Sequence, residues 1–268
     1  MFGPRDEERI WRREPRERLR ADSDLMYAGF NLHDIYSSRT EGARVSCDGT
    51  QGGIAVALVH DGRVQLFKVA GMGSFDNNGY VIADPRTKEA YLIDAPGEIE
   101  RLLDEAKDFQ VKAVLITHTH PDHIAGYDDL KRLSDIPVAV HAADADRLPG
   151  KPVFLLEHGA ELRVGDVAIR LLHTPGHTPG GVCLVVDDCL VSGDTLFPGG
   201  PGYTRSADAF AQLVDSISER LLTLPESHGV YPGHGADTTV EESRREYEGF
   251  AARSRPEGLF GQVRWAEA

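Results

Sequence analysis

Thr117-His118-Thr119-His120-Pro121-Asp122-His123 is the stretch from which the rest of the chain is best read. It places three imidazoles and a carboxylate within positions 118–123 of a chain that has 11 histidines in all. Alternate residues of an extended segment face the same way, so His118 and His120 can converge on one cation. Asp122 and His123 fall where the loop turns into a helix and can face a second cation beside the first. Imidazole nitrogen and carboxylate oxygen are the donors that suit zinc, iron or manganese. A cluster kept only for packing would need a separate hydrogen-bond partner for each ring at the end of a buried strand, which is costly where one goes unmet.

Working outward, residues 54–60 and 64–69 read as strands joined by the tight turn Asp61-Gly62-Arg63, and residues 79–83 and 90–94 as a second pair flanking a turn-rich segment. Ile99, Leu102, Leu103 and Ala106 have helical spacing, and a buried-type strand at 111–116 delivers the chain to the histidine cluster. Downstream, the sequence predicts a helix at 124–133, strands at 136–140, 167–172 and 182–186, a helix near 210–222, a strand at 229–231 and a closing helix within 238–253. The order of strands then helix occurs twice, which suggests two similar halves packed face to face. Residues 1–52 lack this texture: Arg and acids alternate around Pro15, and no clear periodicity follows. They are read as an N-terminal extension, a candidate homodimer arm, ahead of a single domain at 53–268.

Three further segments offer metal donors at strand ends among small residues: His173 to Gly181 with His177, Val191 to Phe197 with Asp194, and Val230 to Gly235 with His234. The chain carries 29 Lys and Arg against 43 Asp and Glu, a net charge of −14, which argues against a nucleic-acid partner. Three cysteines without C-x-x-C spacing indicate neither a disulfide framework nor a zinc knuckle. The charged N-terminus has no secretory apolar core, and no apolar run approaches the ~18 residues of a membrane helix. Together these point to a cytoplasmic protein with no membrane partner.

Thr117 to His123 fits a T-H-x-H-x-D-H signature, with His177, Asp194 and His234 following in order and Leu92-Ile93-Asp94 on a preceding strand. On these residues, over about 64–250, the sequence resembles the metallo-β-lactamase superfamily, and within it the hydroxyacylglutathione hydrolase (glyoxalase II) and persulfide dioxygenase branch. The resemblance implies an α/β fold, a four-layer αββα sandwich. It implies that His118, His120 and His177 hold a first divalent metal ion, that Asp122, His123 and His234 hold a second, and that Asp194 bridges them. Zinc is the expected metal, with iron or manganese as substitutes. It further implies a metal-bridging hydroxide as nucleophile against a small acyl substrate, a thioester foremost, with Asp122 and Asp194 as the catalytic carboxylates and Asp122 taking up a proton. Asp94 is either the carboxylate that orients a ligand imidazole or a plain strand-end turn residue.

The chain also departs from those families. Tyr203 stands where they carry a basic residue that helps to hold glutathione, and Arg205, two positions on, is either a substitute or a surface arginine. About thirty residues follow His234, in place of the helical C-terminal domain of glyoxalase II. One alternative is a mononuclear iron persulfide dioxygenase using His118, His177 and Asp194. Another, of a different class, is a non-catalytic binding or scaffold module with the extension as its interface. Among the other residues, His173 is expected to make a loop hydrogen bond, and His33, His60, His141, His158 and His228 to serve surface or packing roles. Cys183 and Cys189 are expected in the core and Cys47 at the surface.

Overall fold

Strands with apolar side chains on both faces need cover on both faces. The computed structural model, which describes residues 30–31, 55–253 and 257–268, supplies it with two sheets stacked between two pairs of helices. The predicted boundary at residue 53, Cys47, His33 and nearly all of the extension lie outside the described residues.

The first sheet comprises β1 Phe30–Asn31, β2 Ala55–Asp61, β3 Gln65–Met72, β4 Asn77–Ala83, β5 Glu89–Ile93, β6 Gln110–Leu115, β7 Val138–Val140 and β8 Phe154–Leu155. β2 to β8 lie in sequence order, antiparallel from β2 to β5 and parallel from β5 to β8, and β1 pairs with the start of β6. The second sheet comprises β9 Glu161–Val164, β10 Val167–His173, β11 Val182–Val186 and β12 Cys189–Gly193, then, after the short hairpin β13 Leu196–Phe197 and β14 Gly200–Pro201, β15 Gly229–Pro232 and β16 Thr238–Thr239. Its order is β16-β15-β12-β11-β10-β9, with β12 and β15 parallel.

Side-chain alternation assigns the layers. Val81, Leu92 and Val114 pack on one side with Leu102 and Leu103 of α1 (Ile99–Glu105) and Leu130 of α2 (Tyr127–Leu133). Their neighbours Tyr80, Ile82, Ile93 and Leu115 face Val182, Leu184 and Val191 across the gap between the sheets. Cys183, Val185 and Leu190 point the other way, onto Leu213 of α3 (Ala207–Ser216), Phe250 of α4 (Val240–Ala251) and Trp265. The result is the αββα sandwich, with Cys183 and Cys189 in its core as expected.

Two helices differ from their predicted spans. The helix expected from residue 124 begins as a 3-10 turn, Pro121–Ile124, and becomes α-helical only at Tyr127. Gly126 breaks it because this loop lies against the end of β5: Gly126 N donates to Ala95 O at 2.8 Å, and a Cβ there would meet Pro96 O at 2.2 Å. The helix expected over 210–222 starts at Ala207 and ends as α-helix at Ser216, continuing as a π turn, Ile217–Leu221. Among the described residues no helix is long and apolar enough to cross a membrane.

Candidate metal centre

Asp94 follows β5, Thr117 to His123 follow β6, Asp194 follows β12, and His234 follows β15. The parallel pairings β5–β6 and β12–β15 bring these strand ends out on one edge of the sandwich, and the β10–β11 loop adds His177. All seven residues singled out in the sequence meet there.

They form two groups. In the first, His118 Nε2 lies 3.1 Å from His120 Nδ1 and 3.2 Å from His177 Nε2. In the second, His234 Nε2 lies 3.1 Å from Asp122 Oδ2 and 3.3 Å from His123 Nε2, and the last two are 3.5 Å apart. Asp194 stands between them: Oδ1 is 3.3 Å from His123 Nε2, and Oδ2 is 3.6 Å from His177 Nε2 and 3.7 Å from His234 Nε2. Donors at zinc–nitrogen distance from a tetrahedral ion are about 3.3–3.4 Å apart. The spacing within each group therefore fits a shared cation.

The ring orientations agree. His123 Nδ1 donates to Asp94 Oδ2 at 2.8 Å, His177 Nδ1 to Tyr203 O at 2.8 Å and His234 Nδ1 to Phe75 O at 3.0 Å. His118 Nδ1 lies 3.2 Å from Thr117 Oγ1, whose hydroxyl donates onward to Asp94. With the proton on Nδ1, each Nε2 turns a lone pair into the centre. Two further observations mark room for a cation. Asp194 Oδ1 is buried yet accepts no hydrogen bond, and a Cβ on Gly233 would fall 2.4 Å from that oxygen and 2.6 Å from His123 Cε1. A buried carboxylate oxygen without a donor is what a metal ligand looks like before its metal is placed.

The two groups differ electrostatically. Burial and the charges of neighbouring rings hold His118 far below the ordinary imidazole range, burial brings His120 down to about 4, and burial also lowers His177. These three are neutral donors at neutral pH. Burial likewise opposes protonation of His123 and His234. At His123 the Asp194 and Asp94 carboxylates overcome it, and at His234 the Asp122 hydrogen bond and Asp194 do so, raising both. Burial works against ionisation of Asp122 and Asp194, but the adjoining His234 and His123 hold Asp122 well below the carboxylate range, and His123 leads in lowering Asp194.

Asp94, which the sequence left open, is 2% exposed and receives both the His123 ring and Thr117 N, the latter at 2.7 Å, so it orients an imidazole. His173 makes the expected loop contact, Nε2 to Pro179 O at 2.9 Å, and His60 pairs with Asp187 at 3.1 Å. Sequence reasoning passed over Asn77, whose amide donates to Asp122 Oδ2 at 2.8 Å. It also passed over the clamp on the His234 loop, where Lys68 Nζ donates to Gly235 O at 2.8 Å and to Asp237 at 2.6 Å, and Asn78 donates to Pro232 O at 2.9 Å. Two amides opening the apolar strand Gly79 to Ala83 were the available signal. A cleft of about 770 Å³ opens on His120 and His177, with Arg205 in its wall, and a smaller one of about 350 Å³ lies beside His234.

Comparison with known proteins places the chain. The profile of the Metallo-beta-lactamase superfamily matches residues 72–247, from the end of β3 into α4, and so takes in the whole centre. BaeB of Bacillus velezensis, a probable polyketide biosynthesis zinc-dependent hydrolase, is 33% identical over 165 residues, 60% of this chain and 73% of that protein. A hydroxyacylglutathione hydrolase of Synechococcus sp. is 34% identical over 170 residues, covering 59% of this chain and 64% of that protein. The crystal structure of ETHE1 from Myxococcus xanthus is similar with a TM-score of 0.60 and 31% identity, over 70% of this chain and 85% of that one. Fold, centre and profile agree: the chain belongs to the metallo-β-lactamase superfamily.

Proposed function

We propose that the protein is a metal-dependent hydrolase of a small acyl substrate, a thioester in the first instance, working with two divalent cations in the cytoplasm. The observation that carries this reading is the pair of donor groups spaced at 3.1–3.5 Å with Asp194 between them. His118, His120 and His177 would hold one ion, Asp122, His123 and His234 the other, and Asp194 both; zinc suits the donors, as do iron and manganese. Kinship with a protein named as a zinc-dependent hydrolase and with one named as a hydroxyacylglutathione hydrolase supports the same reading. When bound, such a pair of cations supplies an activated water near neutral pH and an electrophilic pull on the carbonyl oxygen.

The chain's own residues do the rest. Asp94, Tyr203 O and Phe75 O fix the orientation of the His123, His177 and His234 rings, so those three need not turn to meet a cation. Asp122 would take up the proton released on attack, and its depressed basicity means that it would pass the proton on instead of keeping it. The titratable groups lining the large cleft are imidazoles and arginines, and Asp122 beside it is held well below the carboxylate range, so it is seldom protonated when a leaving nitrogen needs a proton. A thiol, with a pKa near 8.5, leaves as thiolate without such help. That asymmetry is the reason for placing thioesters ahead of amides.

The likeness to ETHE1 favours one second reading, a dioxygenase with a single iron on His118, His177 and Asp194. It leaves the Asp122, His123 and His234 group without a task. The two readings separate in one experiment. Zinc-loaded protein is assayed on a panel of thioesters, and iron-loaded protein for oxygen uptake with a persulfide. Turnover of thioesters that is lost in Asp194→Asn supports the hydrolase. Persulfide-dependent oxygen uptake without thioester turnover would replace it.

A further inference from the structure

The three histidines of the first donor group are not all held in the same way. His177 has Tyr203 O behind its ring and His118 has the Thr117 hydroxyl. His120 turns Nδ1 to the centre, 3.1 Å from His118 Nε2, and its Nε2 has no hydrogen-bond partner among the described residues. Nδ1 is the ring nitrogen nearer the main chain, so the backbone around residues 119–120, and not a partner of the ring, decides where that donor falls. His177 comes from a different loop. The bite of the three rings therefore depends on the spacing of two backbone segments, one carrying His118 and His120 and the other His177.

One side chain spans that gap. Asp144 lies in the 3-10 helix Ala142–Arg147 that follows β7, and it is fully buried. Its Oδ2 accepts Thr119 N at 3.2 Å and its Oδ1 accepts Gly180 N at 2.9 Å. Thr119 stands between His118 and His120, and Gly180 lies in the loop of His177. A backbone bond, Val182 N to Thr117 O at 2.9 Å, also joins the two segments, but among the described residues no other side chain hydrogen-bonds the backbone of both. The packing leaves no slack, since a Cβ on Gly180 would fall 2.7 Å from Asp144 Cγ. The nearest cation, Arg147, is 3.8 Å from the carboxylate with its own side chain 56% exposed. A carboxylate out of water with so distant a partner is costly, and an apolar residue would fill the space at less cost. What the apolar residue lacks is a pair of acceptor oxygens that can hold two backbone N–H groups at once.

We propose that Asp144 is a positioning residue for the His118, His120 and His177 group: by tying Thr119 N to Gly180 N it sets the spacing of the three rings and with it their affinity for a cation. This rests on the metal-dependent reading of the centre. Groups behind a set of metal ligands act by fixing ligand geometry before the ion arrives, and their loss weakens binding although no ligand is touched. The second group does not draw on Asp144. Its Asp122 and His123 follow the tied residue on the Pro121–Ile124 turn, where His123 is held by Asp94, and its His234 is held by Phe75 O. Loss of the tie should therefore fall on one ion and spare the other.

The test titrates the metal-free full chain with zinc against a chelator, while nitrogen NMR of the His177 and His234 rings tells which group is filled. Asp144→Asn keeps the shape and one acceptor oxygen, but its NH2 meets one of the two backbone donors, so one tie is lost. The expected result is that affinity for the ion on His118, His120 and His177 falls about tenfold or more, while the ion on Asp122, His123 and His234 is held within about threefold of the wild type. Gly180→Ala leaves the carboxylate in place and displaces its partner, so it should weaken the same ion, and it decides the matter if Asp144→Asn does not fold. Ser134→Ala is the control for lost stability alone: it removes a buried hydrogen bond to Leu130 O, 3.0 Å, at the end of α2 and should leave both affinities unchanged. Both ions kept in the folded variants, both lost in parallel, or the same selective loss in Ser134→Ala overturns the proposal. Thioester turnover by the wild type reports separately on the hydrolase reading, because the role of Asp144 needs only an ion on the three histidines.

Discussion

Replacing Asp94 with Asn separates the two donor groups through one buried atom. The Asp94 carboxylate accepts three donors: Thr117 N at 2.7 Å, Thr117 Oγ1 at 2.9 Å and His123 Nδ1 at 2.8 Å. Its backbone has φ +62°, a left-handed conformation that Asn tolerates and that costs Ala roughly 1–2 kcal/mol, so Asn is the cleaner probe. An amide can still accept from Thr117 N, but its NH2 then meets the His123 N–H donor to donor. One buried donor left unmet costs about 1–3 kcal/mol of stability. His123 can relieve that clash only by moving its proton to Nε2, the atom that faces Asp122, Asp194 and His234. The escape removes the lone pair a cation needs there. Losing the carboxylate behind a ligand imidazole weakens metal binding about 10- to 100-fold. We therefore expect Asp94→Asn to lose affinity for one ion by that factor while the ion on His118, His120 and His177 is held within about threefold of the wild type. Titration of the metal-free protein with zinc against a chelator measures both steps, and urea unfolding measures the stability. Two ions bound with wild-type affinity, or two lost in parallel from a folded protein, would refute the reasoning.

Further substitutions probe other parts of the account. Gly233→Ala places a methyl group 2.4 Å from Asp194 Oδ1, so elemental analysis should find at least one ion missing with the circular dichroism unchanged; full occupancy would show that this space is not used. Gly176 has φ +137° and a Cβ there would meet Leu213 at about 2.5 Å, so Gly176→Ala should lower stability by about 2–5 kcal/mol in urea unfolding, and a change under 1 kcal/mol would contradict that packing. His141 stacks on His173 at 3.9 Å; burial and the His173 charge lower its pKa against the opposing pull of Asp144 and Glu157. The unfolded chain then takes up this proton first, near its ordinary pKa of about 6.5, so the contribution is complete above that pH and is lost as pH falls through the folded value. His141→Phe keeps a ring for stacking and removes the titration. Its stability should decline less than that of the wild type between about pH 7 and about pH 5, and equal slopes would refute the assignment.

The parts of the centre legible in the sequence are those that a local pattern carries. His118, His120, Asp122 and His123 are crowded into one turn, and no packing role accounts for them all. His177, Asp194 and His234 are each a single donor among small residues and acquire meaning only from their order after that turn. Asn77 was missed because the one local mark, a pair of amides opening an apolar strand, does not say that its side chain reaches across to Asp122. Phe75 and Tyr203 orient ligand rings through backbone oxygens, and a carbonyl leaves no trace in residue identity. Nothing in the run Ala142 to Arg147 marks Asp144, because its two backbone donors come from loops 25 and 36 residues away. The sheets were legible because apolar residues fill both faces of the strands, whereas the start of α2 was not, since Gly126 interrupts the helix to satisfy a tertiary contact with Ala95.

The central claim is that two cations share Asp194. The most direct test is anomalous diffraction from crystals of the zinc-loaded protein, which locates the ions without reference to activity. The account predicts two peaks roughly 3.5–4 Å apart, one among His118, His120 and His177, the other among Asp122, His123 and His234, with Asp194 touching both. A single peak at full occupancy, or two that do not both contact Asp194, would contradict it.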